Sequence, residues 1–374
     1  MRCLCWAILA FGIQSASAEF IITGPNPIRI PDYRRFDLID HEGKNVKWRY
    51  TGVTPSVGNP PNFIVVVPTS GTTPSAVQIG LNPSVVSLMR PGSGNYSLTV
   101  HFTTVDQDPP KTVNGFVQFV MPPQPPPAIQ SVVNTASLQP FISPGAMVSI
   151  LGSYLAFASP WYLPTPTLSA TYDVTASYPT TLGNTKVTFN GIAAPLLYVS
   201  PSQINGLVPY ALAGQKSVEV VVNRFDVLSS AFTMPLLDTS PGIFTATQSG
   251  SGQAAIRQLG PDRTFSYNSA DNPASPGTAF ELYATGAGVW TPLPQSDINI
   301  SLQPTAFTAQ PVSLTIGGQP ARVLYGGTVA YQEVWALLQV NAVVPDGVGS
   351  GPQPLVLRIG QNDNAQQNVT IAIR

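Results

Sequence analysis

Charged residues are scarce in this 374-residue sequence. Asp, Glu, Lys and Arg together make up 9% of the residues, against about 25% in an ordinary soluble domain. The formal net charge is −1, so the chain has no excess of either sign that would attract nucleic acid or anionic lipid. We therefore expect no nucleic-acid partner.

Cysteine and histidine are also nearly absent. Cys3 and Cys5 both lie close to the N-terminus, and the only histidines are His41 and His101. If the N-terminal segment is removed, disulfides, zinc-cysteine sites and cysteine nucleophiles are all excluded. A Ser-His-acid triad is not expected either, because no Gly-x-Ser-x-Gly motif occurs. The sequence therefore predicts no cofactor, no metal site and no enzymatic activity.

Long apolar runs are missing beyond the N-terminus. Met1-Arg2, the apolar run from Cys3 to Ile13 and the small residues Ala16-Ser17-Ala18 have the layout of a secretory signal, which is too short to span a bilayer. We predict a signal peptide over residues 1–18, cleaved after Ala18. The mature chain is then expected to be secreted or held at the cell surface, with no membrane span of its own.

Proline and glycine, by contrast, are abundant, at 39 and 31 residues. They separate short runs rich in Val, Ile, Thr, Phe and Tyr, which is typical of strands in a sandwich. In one run, Val218, Val220 and Val222 alternate with Glu219 and Val221, so one face is apolar. The sequence predicts an all-β protein built from tandem immunoglobulin-like β-sandwich domains.

Part of the chain is duplicated. The segment Gly191–Tyr198, followed by Gln203-Ile-Asn205 and Val208-Pro209, returns as Gly318–Tyr325, followed by Gln339-Val-Asn341 and Val344-Pro345. The copies are roughly 130 residues apart, which is the length of a domain and not of a solenoid repeat. We therefore predict two related domains in succession.

Domain boundaries follow from this duplication and from a proline-rich stretch. Met121–Pro127 cannot donate ladder hydrogen bonds at its prolines and is expected to be a semi-rigid spacer. The predicted organisation is a signal peptide (1–18), an N-terminal domain (19–121), a linker (122–127), an immunoglobulin-like domain (128–237) and its duplicate (238–374).

Residues 128–374 resemble the Solibacter-type C-terminal family of uncharacterised secreted bacterial proteins, whose halves are similar to IPT/TIG-type immunoglobulin-like sandwiches. The motifs that carry this resemblance are Asn134–Ser137, Pro144–Gly152, Pro179–Gly183, Val187–Gly191, Leu197–Asn205, Pro241–Phe244, Tyr283–Gly286 and Gln339–Asn341. The resemblance implies a fold and an extracellular location and supplies no catalytic residue.

The N-terminal domain resembles BACON-type immunoglobulin-like domains. The matching segments are Val67–Pro74, Val77–Pro83 and Gly94–Val100. That resemblance implies contact with carbohydrate or mucin.

Two further chemistries have candidate residues. A glycosidase needs two carboxylates about 5 to 10 Å apart, and Glu219, Glu281 and Glu333 lie in or near predicted strands of different repeats. A structural calcium ion would use oxygen-rich turns at Asp106-Gln-Asp108 and Asn362-Asp-Asn364. Asp and Asn are also ordinary turn residues, which we take as the main interpretation.

The repeated Gln-x-Asn motif has two readings. A spacing of two places Gln203 with Asn205, and Gln339 with Asn341, on one face of a strand. Such amides could bind sugar hydroxyls, or they could bond neighbouring backbone groups and fix the strand end. Because the motif is duplicated together with the fold, we interpret it as framework.

The favoured recognition element is a long insertion, residues 156–181. It carries the aromatic residues Phe157, Trp161, Tyr162, Tyr172 and Tyr178, and long loops are often functional. These rings could bind a ligand or pack back onto the sandwich. The sequence thus predicts a secreted or cell-surface, non-catalytic binding and scaffold protein of the adhesion type. Its partner would be an extracellular protein or glycan, and the alternative function is carbohydrate binding through this insertion and the N-terminal domain.

Overall fold

The structure is a computed structural model of the chain. It describes residues 20–23, 28–29, 34–40, 44–54, 64–81, 95–120, 125–156, 161–162, 178–293, 306–329, 336–364 and 368–374. The chain forms two compact units, residues 1–124 and 125–374. The predicted signal peptide lies outside the described residues.

The N-terminal unit contains two β-sheets. Its strands, in chain order, are β1 Phe20–Thr23, β2 Ile28–Arg29, β3 Arg34–Asp40, β4 Lys47–Thr54, β5 Ile64–Val67, β6 Ser70–Thr72, β7 Ser75–Leu81, β8 Asn95–Thr104 and β9 Thr112–Val120. One sheet has the order β1-β3-β7-β5 and the other the order β2-β9-β8-β4-β6.

Alternation along these strands builds the core of the N-terminal unit. In β8, Leu98, Val100 and Phe102 are buried, whereas His101 on the opposite face is half-buried. Phe102 packs edge-on against the buried ring of Trp48, with 5.6 Å between ring centroids. Trp48 is therefore a core residue.

The first half of the C-terminal unit is a sandwich of two five-stranded sheets. It comprises β10 Ala128–Asn134, β11 Met147–Ser153, β12 Trp161–Tyr162, β13 Thr185–Phe189, β14 Ile192–Ala193, β15 Leu196–Val199, β16 Gln203–Leu207, a 3₁₀ helix at Tyr210–Leu212, β17 Ser217–Arg224, β18 Val227–Leu228 and β19 Phe232–Pro235. The first sheet has the order β10-β11-β16-β15-β12, and the second has β14-β13-β17-β18 with β19 also on β17.

The second half repeats this arrangement with additions. Its strands are β20 Gly242–Ile243, β21 Gly252–Gln253, β22 Ile256–Leu259, β23 Phe265–Tyr267, β24 Ala279–Thr285, β25 Trp290–Thr291, β26 Phe307–Thr308, β27 Val312–Ile316, β28 Gln319–Thr328, β29 Leu338–Val343, β30 Gly351–Ile359, β31 Asn362–Asp363 and β32 Val369–Ile373. The main path of pairing has the order β21-β32-β30-β27-β28-β29-β24-β22-β23, and off this path β20 pairs with β24, β25 with β26, β26 also with β28, and β31 with β30.

Strand β28 joins the two layers of the second half. Its first residues pair with β27, and the residues from Arg322 onward pair with β29. The register shifts between Val323 and Tyr325, which marks a bulge, and bulges bend a strand and increase its twist. One strand therefore serves both layers.

The two halves are joined by buried polar contacts. Asn134, which is fully buried, donates from Nδ2 to the carbonyl oxygen of Ser240 at 2.9 Å. The backbone N–H of Met147 donates to Oγ1 of Thr285 at 2.9 Å. Such bonds replace bonds to water and require both halves to keep a fixed geometry.

An aromatic pair adds to this junction. Tyr210, from the 3₁₀ helix of the first half, is a member of the second half's core cluster, and its hydroxyl accepts a hydrogen bond from Nε1 of buried Trp290 at 2.6 Å. The ring of Tyr210 lies where a side chain at Gly145 would stand, and Gly145 has a φ of +74°. Both the backbone conformation and the close ring call for glycine there.

The sequence expectation of an all-β, immunoglobulin-like fold is confirmed. The boundaries placed at residues 121 and 237 stay predictions, while the compact units divide between Gln124 and Pro125. The start of the second unit is held by buried Arg224, whose guanidinium donates to the carbonyl oxygens of Tyr154 and Pro125 at 2.6 and 2.9 Å. Burial lowers the pKa of Arg224.

Candidate functional site

The predicted aromatic insertion is only partly described. Trp161 and Tyr162 form β12, which pairs with Val199 and Tyr198 of β15 at the edge of the first half's sheet. Tyr178 is 5% exposed and packs in a buried cluster. Its ring is therefore packed inside the unit, while ligand binding by the insertion stays a prediction. Phe157 and Tyr172 lie outside the described residues, and so do the side chains of β12.

Both copies of the Gln-x-Asn motif make the same internal hydrogen bond. Nε2 of Gln203 donates to Oδ1 of Asn205 at 2.8 Å, and Nε2 of Gln339 donates to Oδ1 of Asn341 at 2.9 Å. All four side chains are half-buried on the outer face of their sheet. The expected bonds to neighbouring backbone groups are not the ones seen, because a spacing of two brings the amides within reach of each other.

In the second half, the amide pair lies within a row of polar and aromatic side chains that crosses five strands. Tyr267 of β23 is opposite Arg257 of β22, Arg257 is opposite Glu281 of β24, Glu281 is opposite Asn341 of β29, and Asn341 is opposite Tyr325 of β28. Strands are about 4.8 Å apart, so the row is about 19 Å long. With Gln339, Tyr283, Phe265 and Phe307 beside it, we call this surface the polar-aromatic face.

The centre of the polar-aromatic face holds a carboxylate. Glu281 is mostly buried, and one of its oxygens, Oε2, accepts a hydrogen bond from the hydroxyl of Tyr283 at 2.6 Å. Its Oε1 lies 3.9 Å from a guanidinium nitrogen of Arg257. Burial, together with the hydrogen bond and the negative charge of Glu281, raises the pKa of Tyr283 to about 12. The Tyr283 hydroxyl therefore stays protonated and fixes the carboxylate.

Aromatic rings lie at both ends of the row. At one end, Tyr267 is 74% exposed and Phe265 is 48% exposed, and the guanidinium of Arg257 lies 4.6 Å from the centroid of the Phe265 ring. At the other end, Phe307 is 52% exposed and packs edge-on against Tyr325, with 5.7 Å between ring centroids. The Tyr325 hydroxyl donates to the Thr328 carbonyl oxygen at 2.5 Å, which holds its ring in place.

The end of the row at Tyr267 borders a cleft of about 710 Å³ between the two halves. Its lining includes Tyr267 and the polar residues Thr135, Thr245, Gln248 and Ser269. The hydroxyl of buried Thr245 has no hydrogen-bond partner among the described residues. The cleft thus adds hydrogen-bonding groups at one end of the polar-aromatic face.

The other candidate residues take structural roles where they are described. Oδ2 of Asp106 accepts from the backbone N–H of Lys47 at 2.9 Å, and Oδ1 of Asn364 accepts from the backbone N–H of Leu357 at 2.8 Å, so both side chains satisfy backbone donors of other segments. Within the described ranges, no group of three or more His, Cys, Asp or Glu could hold a metal ion. Asp108, Asn362 and Asp363 are likewise turn or edge residues of these segments.

Two of the glycosidase candidates, Glu219 and Glu281, lie in different sheets. Glu219 is in β17 of the first half and Glu281 is in β24 of the second half, and Glu333 and His41 lie outside the described residues. His101 is bonded on both ring nitrogens, to Thr54 at 2.6 Å and to Asn114 at 2.7 Å. These two bonds give His101 structural partners within the N-terminal unit.

Sequence reasoning missed Arg257, Phe265, Tyr267 and Phe307. The sequence does contain a signal for a hairpin here, because the turn residues Gly260-Pro261-Asp262 separate two short segments in which polar and apolar residues alternate. Asp262 accepts bonds from the backbone and hydroxyl of Thr264, which hold its pKa below the ordinary value. This hairpin, β22 to β23, brings the two aromatic residues to the sheet edge; in the first half β10 is followed directly by β11.

Comparisons with known proteins agree with the fold. Residues 128–235 match the family model of the IPT/TIG domain. This part of the immunoglobulin-like framework is thus similar to an IPT/TIG domain. The narrower Solibacter-type and BACON-type resemblances stay predictions. Comparison with curated proteins finds no match.

Among solved structures, the chain is similar to a Bacteroides ovatus mixed-linkage glucan utilization locus protein, SGBP-B, in complex with a mixed-linkage heptasaccharide. That match has 12% identity and a TM-score of 0.28 and covers 95% of this chain and 71% of the other. Domains from titin match at 11% identity and a TM-score of 0.25, covering 95% and 97%. A putative membrane anchored protein from Corynebacterium diphtheriae matches at 10% and 0.19, covering 95% and 89%. Likeness at this level concerns the fold alone.

No described helix is long and apolar enough to cross a membrane.

Proposed function

We propose that the protein is a non-catalytic binding and scaffold protein that acts outside the cytoplasm, secreted or at a cell surface. The observation that carries this proposal is the polar-aromatic face. Exposed rings of Tyr267, Phe265 and Phe307 lie at the ends of a row whose centre holds half-buried amides, on a sheet whose other side is core. Exposed aromatic groups beside oriented polar groups are typical of recognition surfaces.

The rest of the C-terminal unit supports a scaffold role. Its two halves share hydrogen bonds through Asn134, Met147 and Trp290, so the face is held on a rigid body. A preorganised surface loses less conformational entropy on binding than a surface on a mobile loop. The predicted signal peptide and the absence of cysteine from the mature sequence are consistent with an exported protein that needs no disulfide.

The test uses export, binding and turnover together. Cell fractionation and N-terminal sequencing are expected to find the protein outside the cytoplasm and beginning at Glu19. The fluorescently labelled protein is expected to bind intact cells or isolated envelopes of the producing organism in a saturable manner. Retention of residues 1–18 in the cytoplasm, or turnover of chromogenic ester and glycoside substrates, would overturn the proposal.

A further inference from the structure

We propose that the polar-aromatic face is a binding site for a neutral polysaccharide chain, which crosses the sheet along the row from Tyr325 to Tyr267. This inference rests on the proposed extracellular binding function and names its ligand. The proposed site is formed by residues of the second half of the C-terminal unit and includes no residue of the insertion 156–181 or of the N-terminal unit.

The distribution of polar groups favours a sugar over a protein partner. Protein interfaces have an apolar centre and a polar rim. The polar-aromatic face is arranged in the opposite way, with Glu281, Gln339 and Asn341 at its centre and the exposed rings at its ends. A pyranose has an apolar ring face and a rim of hydroxyls, so it can stack on a ring and bond planar amide and carboxylate groups.

The hydrogen-bonding capacity of the centre is incompletely used. The Gln339–Asn341 bond occupies one donor of Gln339 and Oδ1 of Asn341. Oε1 of Gln339 and Nδ2 of Asn341 have no partner among the described residues. These atoms are an acceptor and a donor, and adjacent sugar hydroxyls each offer both functions. The paired amides are thus prepared for a ligand that both donates and accepts.

Charge indicates that the ligand is neutral. Arg257 and Glu281 form an ion pair, so the row has one charge of each sign and these compensate each other. An acidic polysaccharide would have to compete with Glu281 for Arg257, and a basic ligand would have to displace Arg257 from Glu281. Uncharged hydroxyls can instead bond to both groups without breaking the pair, in charge-assisted hydrogen bonds.

The duplicated half supplies the contrast that supports this assignment. The same row in the first half contains Val133, Ser149, Asn205 and Tyr198, and the strand register continues it to Tyr162 of β12. It keeps the amide pair but has no charged residue at the positions of Arg257 and Glu281. Ser149 is buried and bonds to Thr135 at 3.1 Å. The amide pair by itself is therefore shared framework, and the site arises from the residues that surround it in the second half.

The test is isothermal titration calorimetry of the purified protein with cellohexaose, xylohexaose, laminarihexaose and maltohexaose, and with hexagalacturonate as an acidic probe. We expect at least one neutral hexaose to bind. Tyr267→Ala is expected to weaken that binding about three- to tenfold through the lost ring contact, and Glu281→Gln about tenfold or more through the lost charged acceptor. Glu281→Gln can still accept the Tyr283 hydrogen bond.

The duplication offers a matched control. Gln339→Ala is expected to weaken binding severalfold because it removes one free acceptor, whereas Gln203→Ala, the same change in the first half, is expected to leave affinity unchanged. Phe141→Ala removes an exposed ring elsewhere in the C-terminal unit and is also expected to have no effect. Unaltered thermal unfolding of the variants would show that a loss of affinity is not a loss of fold.

Three outcomes would overturn the inference. One is that no neutral hexaose binds, or that only hexagalacturonate binds. Another is that affinity is equally insensitive to Tyr267→Ala, Glu281→Gln and Gln339→Ala. The third is that the protein self-associates in size-exclusion chromatography and Tyr267→Ala abolishes the association, which would make the face an interface between copies. Envelope binding that persists without affinity for sugars would leave the proposed function standing and reject only this ligand.

Discussion

The two halves of the C-terminal unit have the same framework and different outer faces. In both, a strand carrying Gln-x-Asn lies in the middle of a sheet, its amides bond each other, and the intervening residue, Ile204 or Val340, is fully buried. In the second half a carboxylate, a guanidinium and exposed rings surround the amides, whereas the described residues of the corresponding row in the first half include no charged residue. The comparison indicates that the amide pair is common to both copies, and we infer that binding requires these amides together with residues that the two copies do not share.

The largest effect is expected from Asn134→Ala, which tests whether the two halves of the C-terminal unit unfold together. Asn134→Ala removes the bond to Ser240 and also the acceptor for the backbone N–H groups of Ala136 and Ser137, at 2.9 and 3.1 Å. Because these groups are buried, each unpaired one costs about 1 to 3 kcal/mol. We expect the free energy of unfolding in urea to fall by about 3 kcal/mol.

Hydrogen exchange distinguishes one body from two. Amides of β11 in the first half and β24 in the second are expected to lose protection together in Asn134→Ala. Loss confined to β11 would contradict the coupling of the halves. The control is Asn223→Ala, which removes only a turn bond to the backbone of Asp226 and is expected to cost at most about 1 kcal/mol.

A smaller effect is expected from the aromatic contact between the halves. Tyr210→Phe deletes the hydroxyl that accepts from Nε1 of Trp290 at 2.6 Å and leaves a buried indole N–H without that partner. Unfolding in urea is expected to require about 1 to 2 kcal/mol less. The exposed Tyr154, altered to Phe, serves as the control and should leave stability unchanged. An equal response from both variants would mean that the contact does not stabilise the junction.

Titration to alkaline pH detects a group that belongs to the outer face of the second half alone. Tyr283 pairs with Gln339 there, whereas the first half has Leu151 at the corresponding position opposite Gln203. The folded-state pKa of Tyr283 is about 12, above the ordinary value of about 10 for an unfolded chain. The folded state therefore binds more protons between these values. The stability that Tyr283 contributes to the folded state is fully present below about pH 10 and is lost as the pH rises through about 12.

The difference in tyrosinate absorbance between the wild type and Tyr283→Phe measures this pKa. In Glu281→Gln the pKa of Tyr283 is expected to decrease, because the carboxylate charge is gone, but to stay above its ordinary value, because burial is the largest cause of the shift. A pKa of Tyr283 that is the same with and without the carboxylate would argue against the hydrogen-bonded pair.

The smallest effect is expected at the surface between the halves. Nζ of Lys216 lies 3.1 Å from Oδ1 of Asp238, with both side chains more than half exposed. Solvent and salt screen such a pair, so Lys216→Ala is expected to change the free energy of unfolding by about 0.5 kcal/mol or less. A loss comparable to that of Asn134→Ala would show that the junction depends on surface charge and not on its buried bonds.

Patterns within the sequence predict a structural feature well where that feature depends on a single strand. The alternation of Val218, Val220 and Val222 predicts a buried face, and all three are buried. The spacing of Gln339 and Asn341 predicts that they share a face, which they do. The bond between them was not predicted, because two amides two residues apart can turn either to each other or to backbone groups, and only the packed environment selects one of these.

The polar-aromatic face was beyond reach of such patterns. Arg257, Glu281 and Asn341 are far apart in the chain and become neighbours only through the register of β22, β24 and β29. Aromatic content drew the prediction to the insertion 156–181, since loops rich in Trp and Tyr are often recognition elements. Tyr178 is instead packed against the sandwich, and composition alone cannot separate a presented ring from a packed one.

By itself the sequence determined the class of fold, the duplication and the scarcity of reactive groups, because strand alternation, repeat spacing and residue counts are properties of the chain taken locally. Tertiary structure alone decided which side chains meet across strands, that Tyr210 of one half completes the core of the other, and that a carboxylate lies between a tyrosine and an arginine. The physical reason is that sheet register and domain packing bring together residues distant in sequence, and the chemistry of a surface depends on those neighbours.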